Sequence, residues 1–215
     1  MIRPGEAWGS PEGSAPDLEV RGGDAALARA VAGAPGALVR FHPDPTSDLA
    51  RAVGIGPGEA VGTALTLDAL ALDDGTLACN MCVVGTPPDG LRWSSPSFDL
   101  EVELNGEPWF SGRASTAVVA TGQFLRGLDL VPRGHPGDAK AEIQVYELRR
   151  RERRPMRARL ATGAHVPHPR IRRRSARTIR VRAHPAVPCE VDGEARGPVS
   201  DLTIEVRSGA YRLLV

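Results

Sequence analysis

From residue 61 onward the chain is cut into short apolar runs by turn signals, and this punctuation limits what it can fold into. Stretches 61–72, 76–85, 98–105, 114–121, 141–148, 178–183, 187–191, 201–207 and 210–215 each read as a short strand. Asp74-Gly75, Pro87-Pro88-Asp89-Gly90, Asn105-Gly106, Pro136-Gly137-Asp138, Asp192-Gly193 and Ser208-Gly209 separate them. Gly, Asn and Asp in such pairs tolerate the backbone of tight hairpin turns. Many short strands at this spacing predict an antiparallel sandwich or barrel. One helical stretch, about 150–161, interrupts them.

The first 55 residues have a different texture. Residues 1–17, rich in Gly, Pro and Ser, read as an irregular arm that Trp8 pins to a surface. Residues 18–21 read as a strand, and Gly22-Gly23-Asp24 turns into a helix, AALARAVAGA, that stops at Gly33. Residues 37–41 read as a second strand. A helix follows in SDLARAVGI, with Ser47 or Asp48 as its N-cap. The expected class is therefore α+β, a truncated α/β N-terminal part over 1–60 followed by an antiparallel β-sandwich domain over 61–215.

At 215 residues and 41% hydrophobic content, the chain can bury a core as one domain or two small ones. No run of 18 apolar residues is present, so no membrane-spanning helix is expected. The first residues lack the apolar stretch of a signal peptide, so a cytoplasmic protein is expected, peripheral at the membrane if it meets lipid. Three cysteines exclude a disulfide scaffold.

Charge is segregated behind a net of +1. Residues 1–148 carry ten basic and twenty acidic side chains, whereas residues 149–182 carry fourteen Arg and one acid, Glu152. Such a segment attracts phosphate, anionic lipid or nucleic acid. Alternatively it pairs within the molecule, with Asp99, Glu101, Glu103 and Glu107. Helical spacing puts Met156 and Leu160 on one face, with Arg153, Arg154, Arg157 and Arg159 fanned around the rest. No aromatics interleave with these arginines, so nucleic acid is set aside as a partner.

Four motifs bear on chemistry. Gly22-Gly23-Asp24-Ala25-Ala26 stands where a strand hands over to a helix; backbone N–H groups there can hold phosphate, and a plain connection has the same form. Cys79-Asn80-Met81-Cys82 lies in a strand-like run, where residues three apart point to opposite faces, so the thiols read as buried structural groups. His165-Val166-Pro167-His168 lacks the ligand count of a zinc site. Asp192-Gly193-Glu194 sets two carboxylates on a tight turn, as a hairpin would, and as a general base and its neighbour would.

Taken in order, these pieces resemble the bacterial diacylglycerol kinase-type lipid kinases, relatives of sphingosine kinases. Gly22-Gly23-Asp24-Ala25-Ala26 is similar to that family's Gly-Gly-Asp-Gly-Thr. Pro43 to Arg51 is similar to its Pro-x-Gly-Thr-x-Asn-Asp-Phe-Ala-Arg. Gly163, His165, His168 and Pro169 resemble its Gly-x-His-x-x-His-Pro segment, and Val191-Asp192-Gly193-Glu194 resembles its Asp-Gly-Glu hairpin. The resemblance implies a nucleotide-binding α/β domain followed by a β-sandwich, and transfer of the ATP γ-phosphate to a lipid hydroxyl with Mg2+. It implies Asp192 as general base with Glu194 beside it, ATP at Gly22, Gly23, Asp24 and Thr46, and a structural magnesium ion at Asp138.

The departures fall on the nucleotide side. The family's first strand–helix–strand unit has no counterpart in the 21 residues before Gly22. Ala25 and Ala26 replace Gly and Thr, and Pro45, which has no N–H, stands where Gly is expected. Phosphoryl transfer depends on donors and cations placed around the phosphates. The reading is a lipid-binding, kinase-like protein with weakened nucleotide affinity. ATP and Mg2+ are its cofactors if it is active, and otherwise it has none. Its alternatives are an active ATP-dependent lipid kinase and a non-catalytic regulatory or scaffold subunit. A lipid or anionic membrane surface is the expected partner. A homo-oligomer is expected too, because two strands and two helices cannot bury their own apolar faces.

Overall fold

The computed structural model describes residues 8–55 and 62–215. The arm before Trp8 and the first residue of the 61–72 run lie outside the described residues. The N-terminal part contains β1 (Ser10–Pro11), β2 (Leu18–Gly22), α1 (Asp24–Ala32), β3 (Leu38–Pro43) and α2 (Asp48–Val53). Next come β4 (Thr63–Leu72), β5 (Leu77–Ala78), β6 (Met81–Gly85), β7 (Phe98–Leu104), β8 (Glu107–Ala114) and β9 (Thr116–Ala120). The remainder is β10 (Phe124–Leu125), β11 (Leu128–Asp129), β12 (Ala141–Tyr146), α3 (Arg150–Arg157), β13 (Ile171–Ala176), β14 (Thr178–Val191) and β15 (Glu194–Leu214).

The hairpin of β14 and β15 builds the sandwich. Residues 179–184 of β14 pair with β7, and residues 189–191 pair with β6; the register slips between Arg182 and Val187. One long strand thus leaves one sheet and enters the other. The first sheet runs β4-β15-β14-β7-β8 and the second β14-β6-β9-β12-β13. Leu100, Val102, Ile179, Val181 and Ile204 from one face meet Val84, Val119, Ile143, Val145 and Cys189 from the other. Facing inner surfaces of two sheets give this alternation of inward apolar and outward polar positions.

β15 also closes the N-terminal sheet. Its Arg212–Leu214 end runs parallel to Leu38–Arg40 of β3 and antiparallel to β4, while β2 runs parallel to β3. Among the described residues β3 is the one strand paired with β2. α1 buries Leu27, Ala28 and Val31 in a second core with Val39, Phe41, Leu67, Tyr211 and Leu213. Trp8 stacks on His135 with ring centroids 4.7 Å apart, holding the described part of the arm against the sandwich. The α+β class with a truncated α/β part and an antiparallel sandwich is the observed one.

Several elements differ from the sequence expectation. The runs 178–183 and 187–191 are one bent strand, and 201–207 and 210–215 are one strand with a register shift after Arg207. Ser208-Gly209 is therefore a bulge rather than a turn, with Gly209 at φ +61°. β13 was hidden by its arginines, because Ile171 and Ala176 are the buried positions of the strand and Arg172 and Ser175 face outward.

The basic segment divides in two. In α3 the inward positions are Arg153, Met156 and, after its end, Leu160, so Arg153 does not join the outward fan. The Arg153 guanidinium donates to the carbonyls of Arg92 and Ser95 at 2.9 and 2.6 Å and to Ser97 Oγ at 3.0 Å. Further on, Arg170 meets Glu152, Arg172 meets Glu147, Arg180 meets Asp201, and Arg182 meets Glu101 and Glu103. Asp99 is taken by Arg113 instead. Arg150, Arg151, Arg154, Arg157 and Arg159 form no ion pair among the described residues. No helix among the described residues is long and apolar enough to cross a membrane.

Candidate functional site

A cavity of about 510 Å³ opens between the starts of α1 and α2 and the β14–β15 turn. Gly23, Asp24 and Thr46 line one wall, Asp192 and Glu194 the other, and Asn80 lies between them. Gly22 sits just behind at φ +126°, a left-handed conformation that favours glycine, and its carbonyl accepts the Asp44 N–H at 2.9 Å. Asp138 stands apart: its carboxylate accepts the Lys140 N–H at 3.1 Å within its own turn, and it does not line the cavity. Among the described residues no three His, Cys, Asp or Glu side chains converge to hold a metal ion.

On the helical wall the side chains of Asp24, Thr46, Ser47 and Asp48 already have partners, while the Arg51 guanidinium lies over the Phe124 ring, 5.8 Å from its centroid. Ser47 is the N-cap of α2 and accepts the Ala50 N–H at 3.1 Å. Its hydroxyl donates to Asp24 at 2.5 Å, and the other Asp24 oxygen accepts the Leu49 N–H at 3.1 Å. Burial raises the Asp24 pKa above the ordinary carboxylate value, against these bonds. Thr46 donates both its hydroxyl and its N–H to Asp44, at 2.6 and 2.9 Å. Asp48 reaches across to accept the N–H groups of Arg126 and Gly127 at 2.5 and 2.7 Å. That turn of the β10–β11 hairpin needs positive φ at both residues, 49° and 74°.

On the sandwich wall the Asp192-Gly193 turn has φ values of 47° and 81°, the two-residue hairpin geometry expected from its sequence. The Asp192 side chain folds inward and accepts the N–H groups of Cys79, Asn80 and Met81 at 2.7, 3.0 and 2.9 Å. Burial pushes its pKa up to about 7, opposed by those three donors. Glu194 points outward and pairs with Arg29 of α1 at 2.7 Å, both side chains well exposed. A carboxyl that exchanges its proton near neutral pH beside an open cavity can take a proton from a hydroxyl.

Other groups of the cleft were not picked out from the sequence. Asn80 donates to the Phe124 carbonyl at 3.0 Å, and a Cβ on Gly122 would fall 2.0 Å from its Oδ1. Its signal was there: it is the one polar side chain in Leu77–Gly85. Arg126 donates to Asp89 at 3.2 Å and to Glu190 at 2.5 Å, and nothing local in the sequence marks it. Cys79 enters the second core while Cys82 enters the sandwich core and faces Cys189 at 3.6 Å, as buried structural thiols do. His165 is buried, and His168 accepts the Arg170 N–H at 3.1 Å, both away from the cleft.

A helix start thus faces a sandwich hairpin across one cleft. A family model described as the YegS C-terminal NAD kinase beta sandwich-like domain matches residues 91–215. The chain belongs to that family, the bacterial diacylglycerol kinase-type group its motifs resemble. Among curated proteins none matches the sequence. Among solved structures, a diacylglycerol kinase from Bacillus anthracis str. Sterne aligns with TM-score 0.74 and 16% identity, over 92% of this chain and 77% of that one. An NAD kinase from Archaeoglobus fulgidus in complex with ATP aligns with TM-score 0.52 and 15% identity, over 93% and 78%. Yeast NADH kinase complexed with NADH gives 0.55 and 16%, over 93% and 61%. At these identities the likeness is one of fold.

Proposed function

We infer that this protein binds a diacylglycerol-like lipid at the sandwich wall of the cleft and has given up efficient use of ATP. The observation that carries this reading is the scarcity of free donors on the helical wall. On the helical wall Asp24, Thr46 and Asp48 are engaged in holding α2, and Ala25 and Ala26 bring methyl groups to the helix start. The cavity is lined by Asp24, Asp44, Asp48, Asp192 and Glu194 against Arg29, Arg51 and Arg126. Two of those guanidinium groups are already paired with carboxylates. Polyphosphate brought there meets excess negative charge and few free donors. With the cavity carboxylates engaged internally and no three metal-ligating side chains converging among the described residues, the residues present do not fit ATP with Mg2+.

The lipid side is better supplied. Asp192 is fixed by three N–H donors, and its carboxyl lies in the range where it can hydrogen-bond a lipid hydroxyl in either protonation state. Asn80 and Leu125 border the same space. The rival reading, an active ATP-dependent lipid kinase, draws on one observation, the raised pKa of Asp192, which suits a general base. A homo-oligomer would form at the β2 edge, where Glu19 and Arg21 flank Val20; sedimentation equilibrium checks it.

The test incubates the full chain with ATP, Mg2+ and a short-chain diacylglycerol, follows phosphorylated lipid, and measures retention of the lipid by equilibrium dialysis. Retention without turnover is expected. Turnover that disappears in Asp192→Asn would overturn the reading in favour of the kinase.

A further inference from the structure

Trp93 is the one large apolar side chain mainly exposed among the described residues, at 63%. Its loop is not loose. Buried Leu91 anchors one end, and Arg153 of α3 clamps the stretch from Arg92 to Ser97 through its carbonyls and the Ser97 hydroxyl. The clamp joins an exposed indole to the helix whose Arg150, Arg151, Arg154 and Arg157 lack ion-pair partners among the described residues. One buried arginine thus assembles a unit of aromatic and cationic groups that intramolecular pairing does not consume.

We propose that the Trp93 loop and the outer face of α3 form one docking face for an anionic bilayer surface. Several cations close to a bilayer are attracted to anionic headgroups, and an indole settles at headgroup level with its ring toward the acyl chains. A folded partner would call for a broad apolar patch, whereas here one ring stands beside Ser94 and Ser95 amid diffuse positive charge. The face also stands close to the cleft. Asp89, whose carboxylate holds the cleft residue Arg126, lies four residues before Trp93, a span of at most about 14 Å of extended chain. Docking there brings the cleft near the headgroup layer, which deepens the lipid-binding reading and rests on it.

The test uses the full chain carrying Trp8→Phe and Trp109→Phe, so that emission reports Trp93 alone. Vesicles of equimolar phosphatidylcholine and phosphatidylglycerol are compared with phosphatidylcholine alone at low and high salt. A blue shift on the anionic vesicles, weak on the neutral ones and fading with salt, is expected. Arg150→Glu with Arg154→Glu should weaken vesicle binding about thirtyfold or more, and Trp93→Ala should weaken it while the unfolding midpoint is unchanged. Equal binding to neutral vesicles, binding with unshifted Trp93 emission, or an equal shift on soluble polyglutamate would each overturn the proposal. A short-chain diacylglycerol free in solution reports on the cleft alone, and both sets of variants should bind it as the parent does. Its loss from the parent, with vesicle docking intact, would defeat the cleft reading and leave the docking face standing.

Discussion

Both walls of the cleft hold their carboxylates with internal hydrogen bonds, and they differ in what those bonds leave for a ligand. On the sandwich wall, a hairpin turn aims Asp192 at three backbone donors, and burial leaves it a proton to exchange near neutral pH. On the helical wall, Asp24 and Thr46 occupy positions that resemble phosphate-binding ones, yet their oxygens serve Ser47, Leu49 and Asp44. A polar residue in a motif is therefore not the same as an available one. Buried polar groups must find partners, and here the helical wall finds them internally.

The largest expected effect would sharpen this contrast through pH. Unfolded, Asp192 titrates near 3.9; folded, near about 7. Between those values the folded form keeps a proton that the unfolded form has lost, so its contribution to stability falls as pH rises from about 4 to about 7. Asp192→Asn should flatten the urea-midpoint profile across that window, by no more than ~4 kcal/mol. Parallel profiles would show that the three N–H donors outweigh burial. Ser47→Ala comes next. It removes the α2 cap and a partner of Asp24, and should lower stability by about 1–2 kcal/mol in urea unfolding.

A smaller effect is expected from restoring the helical wall. Ala25→Gly with Ala26→Thr and Pro45→Gly should raise affinity for ATP with Mg2+ about tenfold, ~1.4 kcal/mol, in calorimetry. No gain would place the obstacle in the Asp24–Ser47 network rather than in the substituted side chains. The smallest is Glu194→Ala, which breaks an exposed pair with Arg29 and should cost less than about 1 kcal/mol in thermal melts. A larger loss would mean that the two walls are mechanically coupled through that pair.

Much of this was legible in the sequence, for physical reasons. The Asn105-Gly106 and Asp192-Gly193 hairpins follow from residues that tolerate positive φ. The α2 cap follows from Ser47 three residues before Ala50, and the inward turn of Met156 and Leu160 from helical spacing. What stayed hidden depends on partners far along the chain. Arg153 looked like one more surface cation, because its acceptors lie some 60 residues earlier. Arg126 at φ 49° has no local signal, because Asp48 stabilises its turn from 78 residues away.

On the proposed reading the sandwich wall binds lipid, whereas the helical wall lacks the free donors that polyphosphate needs. Isothermal titration of the full chain with ATP and Mg2+ tests it most directly. The account predicts no saturable heat up to millimolar nucleotide, in a sample that retains a short-chain diacylglycerol. A dissociation constant on the order of micromolar, about −8 kcal/mol, would contradict it.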